Sequence, residues 1–132
     1  MFSAVSDRVF TELDAVRIAR LGDGAVPPTL LDDLDAGEIV PSTAIPADVV
    51  TMNSVVELLD HSSGQHRRYT VCYPGDADPG AGRISVLSPL GASLLGLAAG
   101  AEASWIAPSG VRRTVTVVAV LYQPEATGDY AA

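Results

Sequence analysis

The sequence predicts an α+β fold in which a short antiparallel helical hairpin precedes a strongly bent antiparallel sheet wrapped around one helix. Three observations carry that prediction. Apolar residues near the front recur three and four apart, the spacing of a helix face; beyond Pro46, β-branched and aromatic runs alternate with clusters of turn residues. The third is the segment Gly82 to Leu97, which reads as a strand running directly into a capped, apolar helix that the other strands can wrap. The organisation that follows is a hairpin, a short coiled coil, over residues 1–40, a linker over 41–46 and a main domain over 47–132.

Taken in order, residues 2 to 21 place Phe2, Val5, Val9, Leu13 and Val16 on one stripe, widened by Phe10, Ile18 and Leu21, with charged residues between them. One amphipathic helix is expected there. The run Leu21-Gly-Asp-Gly24 breaks it, and Pro27-Pro28-Thr29 followed by Asp32 resembles a second helix start with a capping box. That helix carries Leu30, Leu31 and Leu34 and ends before Pro41. Arms of about 10 to 18 residues have only ~15 to 27 Å of reach at ~1.5 Å per residue. Pro41 to Pro46 forms a stiff connector, because its two prolines oppose a helix.

Val49 to Leu59 and Gln65 to Tyr73 then read as a β-hairpin about the turn cluster Asp60 to Gly64. Pro74 to Gly82 is a loop rich in turn formers. In the central segment Ile84, Val86 and Leu87 favour a strand, Ser88 offers a cap oxygen and Pro89 suits the first helical position. Gly91, Ala92 and Ser93 permit close backbone approach, and Gly96 can adopt the left-handed conformation that ends the helix near Leu95. Ala103 to Ile106 is a short strand, Pro108 to Gly110 a turn, and Arg112 to Tyr122 a long final strand with Val115, Val117, Ala119 and Leu121 on one face.

With 132 residues, 48% of them hydrophobic, one sizeable core is expected. The single cysteine, Cys72, lies in an apolar run and reads as a buried structural thiol, so neither a disulfide framework nor metal-ligand spacing is present. No signal-like segment or apolar run of the ~20 residues needed for a membrane span occurs, and the reading is cytoplasmic with no membrane partner. The net charge is −8, with eight arginines, no lysine and the excess of acids concentrated before Ile45. Such a balance opposes direct nucleic-acid binding and suits a basic protein surface; only Arg67-Arg68 and Arg112-Arg113 could form a basic face.

Catalytic chemistry finds no constellation. His61 and His66 flank a turn, and Asp76 and Asp78 lack the spacing and closing glutamate of a calcium loop. Gly91-Ala-Ser93-Leu-Leu-Gly96 is not the nucleophile-elbow spacing, and no phosphate-cradling Gly-Lys-Ser or Gly-Lys-Thr loop occurs. A protein without catalytic residues, metal or cofactor is expected.

The stretch Gly82-Arg-Ile-Ser-Val-Leu-Ser-Pro-Leu-Gly91, continued by Leu94-Leu-Gly-Leu97 and Gly100, resembles the C-terminal domain of bacterial transcript-cleavage factors of the Gre type. Ile45-Pro-Ala-Asp-Val-Val-Thr-Met-Asn-Ser54, Tyr73-Pro and Asp76-Ala-Asp78, and Leu121-Tyr-Gln-Pro-Glu-Ala126 with Gly128-Asp-Tyr130 resemble the related Rnk group, regulators of nucleoside diphosphate kinase. The likeness covers residues 45 to 130. It implies an FKBP-like main domain behind a coiled-coil hairpin, and a transcription regulator that docks on RNA polymerase near the secondary channel. The polymerase-rim contact of the family corresponds to Leu87, Ser88 and Pro89. In Gre factors the hairpin tip carries two acids that help hold a catalytic magnesium; here Asp23 alone lies in the tip, on shorter arms, which implies docking without stimulation of transcript cleavage. A monomer or weak dimer is expected. The competing expectations are an FKBP-like peptidyl-prolyl isomerase, poorly served by one Trp and four Tyr, and an interaction module independent of polymerase.

Overall fold

A computed structural model describes residues 8–21 and 26–130. The chain forms strand β1 (Val9–Thr11), helices α1 (Glu12–Ala19) and α2 (Pro28–Ala36), and strands β2 (Glu38–Val40), β3 (Val55–Asp60), β4 (His66–Cys72) and β5 (Arg83–Ser85). Helix α3 (Pro89–Leu94) and strands β6 (Glu102–Ile106) and β7 (Arg112–Tyr122) complete it. Five strands make one sheet in the order β5-β4-β3-β7-β6, and β1 and β2 make a separate parallel pair.

Of the helix expected over residues 2 to 21, Phe2 and Val5 lie outside the described residues, and among the described ones Val9–Thr11 is a strand and only Glu12–Ala19 is helical. Val9, Phe10 and Thr11 are two β-branched residues around an aromatic one, and they pair with Glu38, Ile39 and Val40. Thr11 then caps α1, its Oγ1 accepting from the Asp14 N–H at 3.0 Å, and Glu12 and Asp14 place acids in the positive first turn. The face that packs therefore carries Phe10, Asp14 and Ile18, while Val16 is exposed. The capping box anticipated at Thr29 does not form: Pro27 holds the cap position with no side-chain bond, and Pro28 supplies the preset φ of the first turn. The Pro41–Pro46 connector contains a 3-10 turn over Ser42–Ala44.

The sheet is mixed, not purely antiparallel, because β5 runs parallel to β4, with Thr70, Val71 and Cys72 opposite Arg83, Ile84 and Ser85. The loop between them, folded into 3-10 turns at Pro74–Asp76 and Pro79–Ala81, brings the chain back to Thr70, so that β5 lies along the last three residues of β4. The β3–β4 hairpin forms about the expected turn, but its first arm starts at Val55 and not at Val49, which makes only an isolated bridge to Ala98. In β7 the expected alternation is interrupted. Leu58 opposes Val117 but Glu57 opposes Ala119, leaving Val118 as an extra residue; a second shift makes Leu121 extra between Val120 and Tyr122. A bulge adds one residue without a partner and exchanges the faces of those beyond it. Val115 and Val117 are thus buried, Val120 packs on the core in place of Ala119, and Leu121 is exposed.

One core joins both ends of the chain. Phe10, Ile18, Val26 and Leu30 lie in the same buried cluster as Met52, Val56, Leu58, Val86, Leu94, Leu95 and Val117. Val9 N–H donates to the Gly96 carbonyl at 3.0 Å, and Phe10 lies against Gly96 so closely that a methyl there would stand 2.8 Å from its ring. Gly96 also has φ +86°, so one glycine both ends α3 and receives the aromatic ring. Gly91 packs against the Ser85 carbonyl with no room for a Cβ. Cys72 is buried, with its thiol on the Ile84 carbonyl.

A buried polar cluster adds a second tie. Asp14 Oδ2 accepts from the Met52 N–H at 3.1 Å, and the carboxyl is only 2% exposed. Burial pushes its pKa up to about 6, opposed by the Met52 bond and reinforced by nearby Glu125. Tyr73, on the same cluster, is raised by burial and then by Asp14. The segment after β7 is anchored too: Thr51 Oγ1 donates to Glu125 Oε1 at 2.7 Å, and Gln123 Nε2 donates to the carbonyls of Pro46 and Val49.

Candidate partner-binding site

The turn from β5 into α3 is locked by its own side chains. Ser85 Oγ accepts from the Leu87 N–H at 3.0 Å, Ser88 N–H and Oγ both donate to the Ser85 carbonyl, and Ser88 Oγ in turn accepts from the Gly91 N–H at 3.1 Å. Ser88 is therefore the N-cap of α3 and Pro89 its first residue. Leu87 is half-buried against the core and Pro89 is exposed. The three residues singled out in the sequence thus form one rigid corner. Asp23, the fourth, lies outside the described residues.

Leu87 and Pro89 form one lip of a cleft of about 460 Å³. The facing walls come from the N-terminal elements, through Arg8, Pro27, Thr29 and Asp33, and from the β6–β7 hairpin, through Trp105, Ile106 and Arg112. Arg8 is held in place by Asp33 at 3.3 Å and by donating to the Leu95 carbonyl at 2.7 Å; burial lowers its pKa against the attraction of Asp33. Trp105 is half-buried on the core, whereas Ile106 beside it is 59% exposed. The cleft combines apolar side chains, Leu87, Pro89, Trp105 and Ile106, with the charged Arg8, Asp33 and Arg112, a mixture found at recognition sites.

Trp105 also borders a smaller hollow of about 70 Å³ flanked by Arg67, Tyr69, Leu90, Arg113 and Asp60. Asp60 is held below the usual carboxylate range first by the Ser62 hydroxyl and N–H, with Arg113 at 3.2 Å adding to this. The two arginine pairs visible in the sequence are thus divided by the pleat. Arg67 and Arg113 reach the hollow and Arg112 the cleft, while Arg68 stands opposite Glu57.

Sequence reasoning marked the arginine pairs as the available basic residues but did not join them to Trp105. The only tryptophan of the chain was the signal that could have done so. Arg8 and Asp33 gave none, because they meet only through the β1–β2 pairing. His61 and His66 contact Thr116 and Glu57 on the exposed side of the sheet and belong to no common site. Among the described residues no group of three or more His, Cys, Asp or Glu is placed to hold a metal, and no helix is long and apolar enough to cross a membrane.

Residues 45–122 match the family described as the C-terminal domain of the transcription elongation factors GreA and GreB. The chain is 37% identical over 128 residues to the regulator of nucleoside diphosphate kinase of Escherichia coli, covering 92% of this chain and 94% of that protein. It is 36% identical over 86 residues to GreA of Desulfovibrio desulfuricans, covering 65% of this chain and 52% of that one. Among solved structures, a GreA/GreB elongation factor from Nitrosomonas europaea superposes with a TM-score of 0.72 at 38% identity, covering 87% of this chain and 98% of that one. The chain accordingly belongs to the GreA/GreB C-terminal-domain family, within the group of the regulators of nucleoside diphosphate kinase.

Proposed function

We propose that this protein regulates transcription by docking on RNA polymerase near the entrance of its secondary channel, without stimulating transcript cleavage. The observation that carries the docking is the Leu87-Ser88-Pro89 corner. Its hydrogen bonds fix the backbone before any partner arrives, so little conformational entropy is lost on binding, and it presents an exposed proline at the lip of a cleft. Membership in a family of elongation factors supplies the setting.

In this reading the sheet around α3 is FKBP-like, and α1 and α2, of eight and nine residues and packed on the common core through Ile18 and Leu30, are the base of a short arm whose tip carries Asp23. The Gre tip brings two acids to the magnesium, and a single tip carboxylate supplies only one of those ligands. The short arm occupies or modulates the channel and brings no second acid to it.

The test is binding of the purified chain to core RNA polymerase with a Gre factor as competitor and Pro89→Ala as the variant, followed by a cleavage assay on arrested complexes. Mutually exclusive binding, several-fold weaker in the variant, with no cleavage above background is expected. Absence of binding at micromolar concentration overturns the docking, and stimulated cleavage overturns the role given to the arm.

A further inference from the structure

We propose that the paired hollows about Trp105 receive an acidic segment of a partner protein, anchored by one large apolar side chain. This deepens the docking reading by giving the chemistry of the partner surface, and it rests on that reading only for the partner's identity.

The charge at the hollows is the reverse of that of the chain as a whole. The whole chain carries −8, and that balance by itself suits a basic partner. Yet four of the eight arginines, Arg8, Arg67, Arg112 and Arg113, line the two hollows, against two carboxylates, Asp33 and Asp60. Each carboxylate is already ion-paired, Asp33 with Arg8 at 3.3 Å and Asp60 with Arg113 at 3.2 Å. Among the described residues Arg67 and Arg112 are in no ion pair; Arg67 donates only to the Gln65 side chain. Both are exposed, on either side of a half-buried tryptophan.

A guanidinium presents a fork of N–H groups that fits a carboxylate, and tryptophan with arginine is the pairing enriched at the energetic centres of interfaces. The cleft of about 460 Å³ between Leu87, Pro89, Trp105 and Ile106 accommodates a large side chain such as leucine or phenylalanine. A polynucleotide fits less well: its phosphates would meet the arginines, but it brings no aliphatic side chain to the wall of Leu87, Pro89 and Ile106, which an acidic segment with a large apolar residue fills.

Because Trp105 is the only tryptophan, its emission reports occupancy directly. The probes are a twelve-residue amphipathic peptide of glutamate, leucine and phenylalanine, its counterpart with lysine for every glutamate, and a twelve-nucleotide RNA. The acidic peptide is expected to shift the Trp105 emission and bind at least tenfold more tightly than the other two at low salt. The Arg67→Glu, Arg112→Glu double variant, altered at exposed positions and checked for an unchanged circular dichroism spectrum, is expected to lose that preference. Equal or tighter binding of the lysine peptide or the RNA, no binding of the acidic peptide, or full binding by the double variant overturns the proposal. Core RNA polymerase separates the two readings. If polymerase binds the double variant as well as the unaltered chain, the acidic segment is refuted and docking stands; if the acidic peptide binds and polymerase does not, docking is refuted alone.

Discussion

Replacing Asp14 by asparagine should stabilise the protein near neutral pH and do so less in acid. The carboxyl is 2% exposed, and burial raises its pKa from 3.8 to about 6. A raised acid pKa means that the folded state holds the proton more tightly than the unfolded chain. Below pH 3.8 both states are protonated and ionisation costs nothing; between 3.8 and 6 the unfolded chain ionises first, and stability falls; above 6 the full cost is reached. About two pKa units at ~1.36 kcal/mol each give a cost of about 3 kcal/mol at pH 7.5 and about 1 kcal/mol at pH 4.5. Asparagine keeps an acceptor for the Met52 N–H but carries no charge to bury beside Glu125. The assay is urea denaturation of both proteins from pH 4.5 to 7.5, read as the difference between them, so that groups such as Asp60 and Tyr73 largely cancel. The stability of the variant relative to the unaltered chain should rise by about 2 kcal/mol across that range. A difference that stays constant within about 0.5 kcal/mol would refute the reasoning, because a buried, ionisable Asp14 must titrate.

Phe10→Ala should cost about 3 to 5 kcal/mol in denaturant unfolding, since the ring is fully buried between the N-terminal elements and Gly96. Gly91→Ala should cost on the order of 3 kcal/mol, because a methyl group there meets the Ser85 carbonyl, a backbone atom that cannot swing aside; a thermal melt reads the loss. Ser88→Ala removes the α3 cap and should cost about 1 kcal/mol, with faster amide exchange at Gly91, whose N–H loses its acceptor.

Local signals were legible wherever the deciding residues lie within a few positions of one another. Ser88 caps the helix that begins at Pro89, Gly96 follows its end, and the final strand runs from Arg112 to Tyr122 as its composition indicates. Each of these features depends on backbone preferences and bonds spanning four residues or fewer. The strand at Val9–Thr11, ahead of α1, was not legible for a related reason. Val9, Phe10 and Thr11 fit a helical stripe and a strand equally well, and the partner that decides between them, Glu38 to Val40, is almost thirty residues away.

The amino-acid sequence by itself determined the mixture of elements, the single core, the capped corner at Ser88 and the likeness to the Gre and Rnk proteins. Tertiary structure decided the parallel β4–β5 edge, the bulges at Val118 and Leu121 that move Val120 to the core, the burial of Asp14 under Met52, and the gathering of Arg8, Arg67, Arg112 and Arg113 about Trp105. Net charge is a sum over the chain and carries no positions. The local field at a cleft depends on which side chains the pleat and the strand order bring together, so an acidic protein can present a basic site.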